Sequence, residues 1–265
     1  MHPHYNTLLY NLHDGIGELT LNRPEAGNTF TAELLRELTD VTTRMMDDHQ
    51  LRAVLLRGAG NNFCFGASID MFLATSETER PLLLRELVTI FHNAISHLTR
   101  LEVPVVGVVQ GSAVGGGVAL LSACDVVIAA ESARFRLGWP GIGLSMDGGS
   151  TMLLPRIIGA RRTLELVYTN RIFTVQEAHQ WGFVNWVVPD AELDSRATEL
   201  ARQFASGATR AFGLSKQLIL GGWNEAPEAQ MEQEAIAIIH TIRSRDTAEA
   251  MRAFKEHRPA KFTGE

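Results

Sequence analysis

Residues 105–155 read VVGVVQGSAVGGGVALLSACDVVIAAESARFRLGWPGIGLSMDGGSTMLLP, and this stretch decides the fold. Val105 to Val109 is an apolar run of strand length, preceded by Pro104 and ended by Gln110-Gly111. Gly115-Gly116-Gly117 then opens the apolar segment Val118 to Ala123, which fits a buried helix, and Asp125 to Ala130 reads as a second strand. Gly138 to Gly149 is a Gly-rich loop that carries one acidic residue, Asp147. Strand, triple glycine, buried helix, strand and a loop with a carboxylate together predict a site held on a rigid α/β core.

Three consecutive glycines let backbone N–H groups approach a ligand with no side chain in the way. At a helix start those N–H groups lack intrahelical partners and suit an anion, or an oxygen that becomes anionic during reaction. Close packing of the helix against a neighbour is the other reading, and both stand at this point. The pattern is neither GxGxxG nor a Walker loop, so nucleotide phosphate is not indicated.

Working outward, Thr7–Leu12 and Ile16–Leu21 read as strands around a His13-Asp14-Gly15 turn. Residues 31–48 carry Leu34, Leu35, Leu38, Val41 and Met45 at helical spacing, with Thr31 as cap. Ala53–Leu56 is a buried strand, Gly58–Ser68 a second Gly-rich loop, and Arg80–Leu101 a long helix containing His92. Later come helices at Arg161–Thr169 and Val175–Trp181 and a strand at Phe183–Val188. From Asp190 the pattern is helical only, with Gly213 and Gly221-Gly222 as breaks and amphipathic runs at Gln230–Ile242 and Thr247–Phe254. The organisation expected is an α/β core over residues 1–190 and a helical C-terminal region over 191–265 that covers its own core or a neighbouring subunit.

The 265 residues are 45% apolar and 20% charged, the balance of a soluble globular chain. A net charge of -6 without any Lys/Arg-rich run argues against nucleic acid. No apolar segment is long enough for a membrane span, and the opening MHPHYNTLLYNLHDG does not read as a signal peptide. Cys64 and Cys124 lack metal-ligand spacing and fit buried thiols in a cytoplasmic protein, with no metal expected.

Five segments in order, LTLNRPEAGN (19–28), NFCFGASI (62–69), VPVVGVVQGSAVGGGVALLSACDVVIAAESARF (103–135), TNRIFTVQEAHQWGFVNWVV (169–188) and AFKEHRPAKF (253–262), resemble the crotonase, or enoyl-CoA hydratase/isomerase, superfamily. The resemblance implies a ββα spiral core with a C-terminal helical trimerisation region, a homotrimer or dimer of trimers, and an acyl-CoA substrate of fatty-acid or aromatic-acid breakdown. Coenzyme A would come as part of the substrate, with no separate cofactor. It implies a thioester oxygen held by the N–H groups of Ala67 and Gly116, stabilising an enolate. It also implies substrate contacts at Arg23, Ala26, Phe65, Ile69, Trp139, Phe254 and His257, where His257 replaces the usual lysine.

Two glutamates used by the family's hydratases map onto Ala119 and Trp139, and neither position can move a proton here. Asp147 remains. It matches the aspartate of relatives that isomerise double bonds, such as dienoyl-CoA isomerases and the isomerase of the ring-opened phenylacetate pathway, and DGGSTMLLPR resembles the latter's DSGGTWLLPR. Helix capping is the other reading of Asp147, as Asp is a favoured N-cap. His92, Trp139, Asp147 and Glu234 also match 4-chlorobenzoyl-CoA dehalogenase, in which the aspartate attacks an aryl carbon and the histidine activates water. The aromatics that line its aryl site map onto Ala67, Leu84 and Phe91. His92 reads either as a core histidine among Leu87, Val88, Phe91 and Ile95 or as a catalytic group. Trp139 reads as an acyl-pocket wall and Glu234 as a solvated or interfacial residue. Isomerisation is the first expectation, dehalogenation the second, and a non-catalytic acyl-CoA-binding relative the alternative from another class.

Overall fold

The structure is a computed structural model that describes residues 4–265; the first three residues of the N-terminal segment lie outside it. β1 (Leu8–His13) and β2 (Ile16–Leu21) form the expected hairpin. Its two turn residues, Asp14 and Gly15, have φ of 51° and 77°, the left-handed pair whose twist matches that of the strands. α1 (Ala32–Met46) begins where Thr31 accepts the Leu34 N–H. The chain continues through β3 (Ala53–Gly58), α2 (Ile69–Leu73), α3 (Arg80–Arg100), β4 (Val105–Val109), β5 (Ser112–Val114) and α4 (Gly116–Ser122). Then come β6 (Val126–Ala130), β7 (Arg134–Arg136), α5 (Ser150–Ile158), α6 (Ala160–Thr169), β8 (Phe173–Thr174), α7 (Val175–Gln180) and β9 (Trp186–Val188). Four helices close the chain: α8 (Leu193–Ala205), α9 (Thr209–Gly221), α10 (Pro227–Thr241) and α11 (Arg245–Lys255).

The main sheet runs β1-β2-β3-β4-β6-β9, antiparallel at the hairpin and parallel elsewhere. β4 is buried at every residue because both faces are covered, which explains its unbroken apolar sequence. One face carries Leu19, Val54, Leu56, Val105 and Val109 into the larger core with α1, α3 and α4. The alternate residues Ile16, Ala53, Leu55, Val106, Val108 and Ile128 meet Leu193, Ala197, Ala201 and Ala205 of α8. Spacing of four along α8 makes one small-residue stripe that lets the helix lie close on the sheet. Each fully buried Val or Leu here contributes about 2 kcal/mol.

A second sheet, β5-β7-β8, stands beside the first. Its strands hold two or three residues, too few for a periodic signal in the sequence. The expected strand at 183–188 is confined to Trp186–Val188. Gly213 does not break a helix: it lies inside α9, where a Cβ would meet the Glu102 carbonyl at 2.4 Å, so it is a close-packing glycine. Cys64 is buried as expected, whereas Cys124 is half-buried.

The loops after β2, β3, β4 and β7 all leave the sheet region at the carboxyl end of the parallel strands, where ligands sit in open α/β sheets. No helix among the described residues is long and apolar enough to cross a membrane.

Candidate active site

The loop after β3 runs alongside the start of α4. Phe30 and Ala67 form a parallel bridge, and so do Cys64 and Ala113. Phe30 N–H donates to Gly66 O at 2.7 Å and Ser68 N–H to Phe30 O at 3.1 Å. Gly66 C=O and Ala67 N–H belong to one trans peptide and point in opposite directions. With the carbonyl turned to Phe30, the Ala67 N–H faces the other way. On the far side of Gly66 lies the triple glycine: a Cβ on Gly66 would sit 2.8 Å from Gly116 N and 2.8 Å from Val114 O. A Cβ on Gly116 would in turn meet the Phe30 ring at 2.5 Å. Only glycine permits this approach of two backbones, and the Gly66 φ of 77° adds a second reason.

Gly115 C=O accepts from Val118 and Ala119 within the first turn of α4. The same trans-peptide argument turns the Gly116 N–H outward from that turn. Among the described residues neither Ala67 N–H nor Gly116 N–H has an acceptor. Two free donors at abutting loops are what an oxygen of developing charge requires.

Asp147 sits before Gly148 and Gly149, which have φ of 64° and 71°. Ser150 N–H and Oγ–H donate to the Asp147 carbonyl at 3.2 and 2.5 Å, and Gly149 occupies the cap position of α5. The carboxylate therefore does not cap the helix. Instead Asp147 Oδ1 lies 2.6 Å from Nε2 of His92, 55 residues earlier on α3. An ionised carboxylate only accepts, so the imidazole donates Nε2–H. The His92 side chain is 49% exposed and the Asp147 side chain 28%. His92 is thus not a core histidine; its neighbours Phe91 and Ile95 take the buried face of α3.

Beneath Asp147 the packing is tight and apolar. A Cβ on Gly148 would meet Phe91 at 2.4 Å and the Ala119 methyl at 2.8 Å, and Phe91 lies 5.0 Å from Phe30 ring to ring. Ala119 has no exposed surface, so the wall beside Asp147 is a methyl group, which cannot move a proton. Trp139 opens a short 3-10 turn, Trp139–Ile142, and is half-buried against the main core.

The remaining expected residues divide in two. Arg23 is half-buried and donates from Nη1 to Thr29 O at 2.8 Å; Ala26 ends the short turn Pro24–Ala26. The exposed Phe65 lies over Gly27, where a Cβ would be 2.2 Å from its ring, and Ile69 is exposed at the start of α2. These residues share the loop cluster of Ala67. Phe254 (84% exposed) and the exposed His257 stand apart. Among the described residues the hydrogen bonds of α11 and the tail stay within 241–265, and Gly264 comes against Arg52, at the opposite end of β3 from the site loop. Glu234 is exposed on α10. No group of three or more His, Cys, Asp or Glu suited to a metal occurs among the described residues.

Sequence reasoning missed Asn28 and Cys64. Asn28 is fully buried with φ of 55°; its Nδ2 donates to the carbonyls of Ala59, Asn62 and Phe63, and its Oδ1 accepts from Arg23 N. That side chain ties the loop after β2 to the loop after β3. A polar residue inside an irregular loop has no periodicity to betray its burial.

The family model for enoyl-CoA hydratase/isomerase matches residues 11–265. The chain belongs to that family. Among family relatives, 4-chlorobenzoyl coenzyme A dehalogenase-2 of an Arthrobacter species is 34% identical over 242 residues, covering 91% of this chain and 88% of the relative. The 1,2-epoxyphenylacetyl-CoA isomerase of Escherichia coli K12 is 34% identical over 257 residues, covering 97% and 98%. A crystal structure of an enoyl-CoA hydratase from Bacillus anthracis superposes with a TM-score of 0.92 at 32% identity, over 98% of this chain and all of that one. The fold is accordingly the crotonase-type α/β fold, and the protein is an acyl-CoA enzyme of the hydratase/isomerase family.

Proposed function

We propose that this enzyme binds an acyl-CoA with its thioester oxygen on the N–H groups of Ala67 and Gly116, and that Asp147 attacks the substrate as a nucleophile with His92 as its partner. The observation that carries this reading is the 2.6 Å contact between His92 Nε2 and Asp147 Oδ1. Holding one carboxylate oxygen leaves the other free to attack. The same imidazole then stands beside the ester carbon and can take a proton from water.

The substrate class is an aryl- or enoyl-CoA with a leaving group conjugated to the thioester, of which 4-chlorobenzoyl-CoA is the nearest case. Attack on the carbon bearing chloride pushes charge onto the thioester oxygen, where the two N–H donors stabilise it. Chloride leaves with its electron pair and an aspartyl ester remains. Once Asp147 is esterified its oxygen no longer requires the Nε2 proton. His92, with its proton on Nδ1, then takes one from water at Nε2 while the hydroxide adds to the Asp147 carboxyl carbon. The adduct expels the aryl oxygen, which takes the imidazolium proton, and the carboxylic acid proton passes to solvent, giving the hydroxylated acyl-CoA and the carboxylate.

Double-bond isomerisation is the second reading, with Asp147 taking a proton at one carbon and returning it at another. The side chains favour it at two positions, since Ala67 and Leu84 stand where an aryl site would carry aromatic rings. Against it, isomerisation by a single carboxylate gives no role to His92, which holds Asp147 Oδ1 at 2.6 Å. A non-catalytic acyl-CoA binder is the reading from another class. We further propose a cytoplasmic, trimer-based assembly in which Phe254 and His257 contact the coenzyme A bound to a neighbouring subunit.

Incubation with 4-chlorobenzoyl-CoA and with enoyl- and dienoyl-CoA esters, followed by mass and absorbance, tests this. Chloride release with a mass change of Cl to OH supports the first reading. An absorbance change at constant mass supports the second. Tight binding without turnover of any ester supports the third.

A further inference from the structure

From Phe63 to Ser68 the backbone N–H groups of the site loop are held one after another by fixed acceptors. Phe63 and Cys64 donate to Ser112 O, Phe65 to Gly27 O, and Ser68 to Phe30 O. Only two depart from carbonyl partners. Ala67 N–H is free, as described above. Gly66 N–H donates to a sulfur, the Sγ of Cys64, at 3.3 Å. The same sulfur donates its proton to Asn28 O at 3.2 Å.

We propose that the Cys64 thiol is a positioning residue of the thioester-oxygen site, accepting from Gly66 N–H and donating to Asn28 O so as to fix the peptide that aims Ala67 N–H; this rests on the reading of Ala67 as a donor to substrate. Gly66 has φ of 77°, where glycine gives no steric preference of its own. Its N–H lies on one side of the freely rotating Cα, across φ, and its carbonyl, bonded to Phe30 N, on the other, across ψ. With both ends held, the Gly66–Ala67 peptide has one orientation left. Without the sulfur, the one acceptor that Gly66 N–H has among the described residues is lost.

The thiol serves both bonds only while it keeps its proton, and burial pushes the Cys64 thiol up to about 12. The side chain has no exposed surface and sits where both halves of the site converge. Cys64 O accepts from Val114 N at 2.8 Å, and a Cβ on Gly117 would lie 2.5 Å from that oxygen. Through its bond to the main-chain carbonyl of Asn28 the thiol also holds the residue whose side chain ties together the loops after β2 and β3. A core filler of the same size, such as valine, would preserve the packing and neither bond.

The test compares full-length wild type with Cys64→Ala, Cys64→Val and Cys64→Ser, using the most active ester of the panel above. Turnover is paired with the infrared shift of the thioester carbonyl on binding, a readout that a purely structural role does not move. Loss of an entire oxyanion-hole donor costs roughly 100- to 1000-fold in kcat, so a misdirected donor should cost roughly 10- to 100-fold. Cys64→Val and Cys64→Ala should show that loss with KM little changed and a smaller carbonyl shift. Cys64→Ser, which can both donate and accept, should recover most of each. Retention of kcat and of the full carbonyl shift in Cys64→Val overturns the proposal. If Cys64→Ala does not fold, the Val and Ser pair carries the comparison, and equal kcat and carbonyl shift in those two overturns it as well. A wild type with no carbonyl shift instead overturns the assignment of Ala67 and Gly116, and the role of Cys64 with it.

Discussion

Asp147 and Asp125 each meet a basic side chain from a distant part of the chain, yet under opposite conditions. Asp125 Oδ2 accepts from Lys216 Nζ at 2.9 Å and from Val105 N at 2.7 Å, while Lys216 also donates to Leu98 O and Val103 O. The Lys216 side chain is 9% exposed and that of Asp125 25%. Asp147 has one donor, on Oδ1; among the described residues its Oδ2 has none, and its histidine is half in solvent. In the first pair every nearby donor has a use within the fold, pinning α9 and the segment before β4 to the start of β6. Both carboxylates have their donors on one oxygen alone, but in the second pair the sole donor among the described residues is a half-exposed imidazole with no second tie to the fold. A carboxylate held by a largely buried ammonium and a backbone N–H is structural; one held by a half-exposed imidazole at the end of a glycine loop is available to a ligand.

The comparison breaks first on activity. Asp147→Asn keeps shape and should abolish turnover, by more than about 100-fold, while acyl-CoA still binds and thermal stability stays near wild type. Retained activity would return Asp147 to a structural role. Next, His92→Gln separates the two enzymatic readings. Under the nucleophilic reading the aspartyl ester still forms, so chloride appears as a single-equivalent burst while steady-state turnover falls at least about 100-fold. Under isomerisation, loss of the imidazole should lower the rate only a few-fold with no burst, as rapid mixing with absorbance detection would reveal.

The structural pair should respond in the reverse sense. Lys216→Met strands a carboxylate and should cost about 3 kcal/mol of stability in urea unfolding, whereas Asp125→Asn combined with Lys216→Met should recover most of that. Variants that fold should keep catalytic constants close to wild type, and a large selective loss of kcat would contradict the division.

The smallest effect is on pH. Burial holds the Asp125 carboxyl above the ordinary carboxylate range, outweighing the opposing pull of Lys216. A raised folded-state value favours the protonated form in the folded chain. The stability it contributes is fully present below the unfolded value of about 3.9 and is lost as pH rises through the folded value. Unfolding free energies measured upward from about pH 4 should therefore fall in wild type relative to the Asp125→Asn, Lys216→Met double variant. A flat difference would mean that Lys216 compensates the burial in full.

The same contrast governs what the sequence discloses. β4, the Asp14-Gly15 turn and the Thr31 cap are legible because each is a local rule: an apolar run, a left-handed dipeptide, a hydroxyl before a helix. Asp147 is legible as a lone carboxylate in a glycine loop. Its partner is not, because nothing local links residues 55 apart, and His92 shares its helix with a core stripe that suggests burial. Asn28 and Cys64 hide for a further reason: their work is done through loop backbone, which sequence patterns do not describe. Gly213 misleads because a glycine that admits a neighbouring chain looks the same as one that ends a helix.

The central claim, that Asp147 itself bonds to the substrate and is released by water beside His92, is tested most directly by oxygen labelling. A single turnover of 4-chlorobenzoyl-CoA in water enriched in oxygen-18, with enzyme in excess, should give product carrying ordinary oxygen taken from the carboxylate. The heavy isotope should then be found by peptide mass spectrometry in the side chain of Asp147. Product fully labelled in that first turnover, with Asp147 unlabelled, would contradict the account.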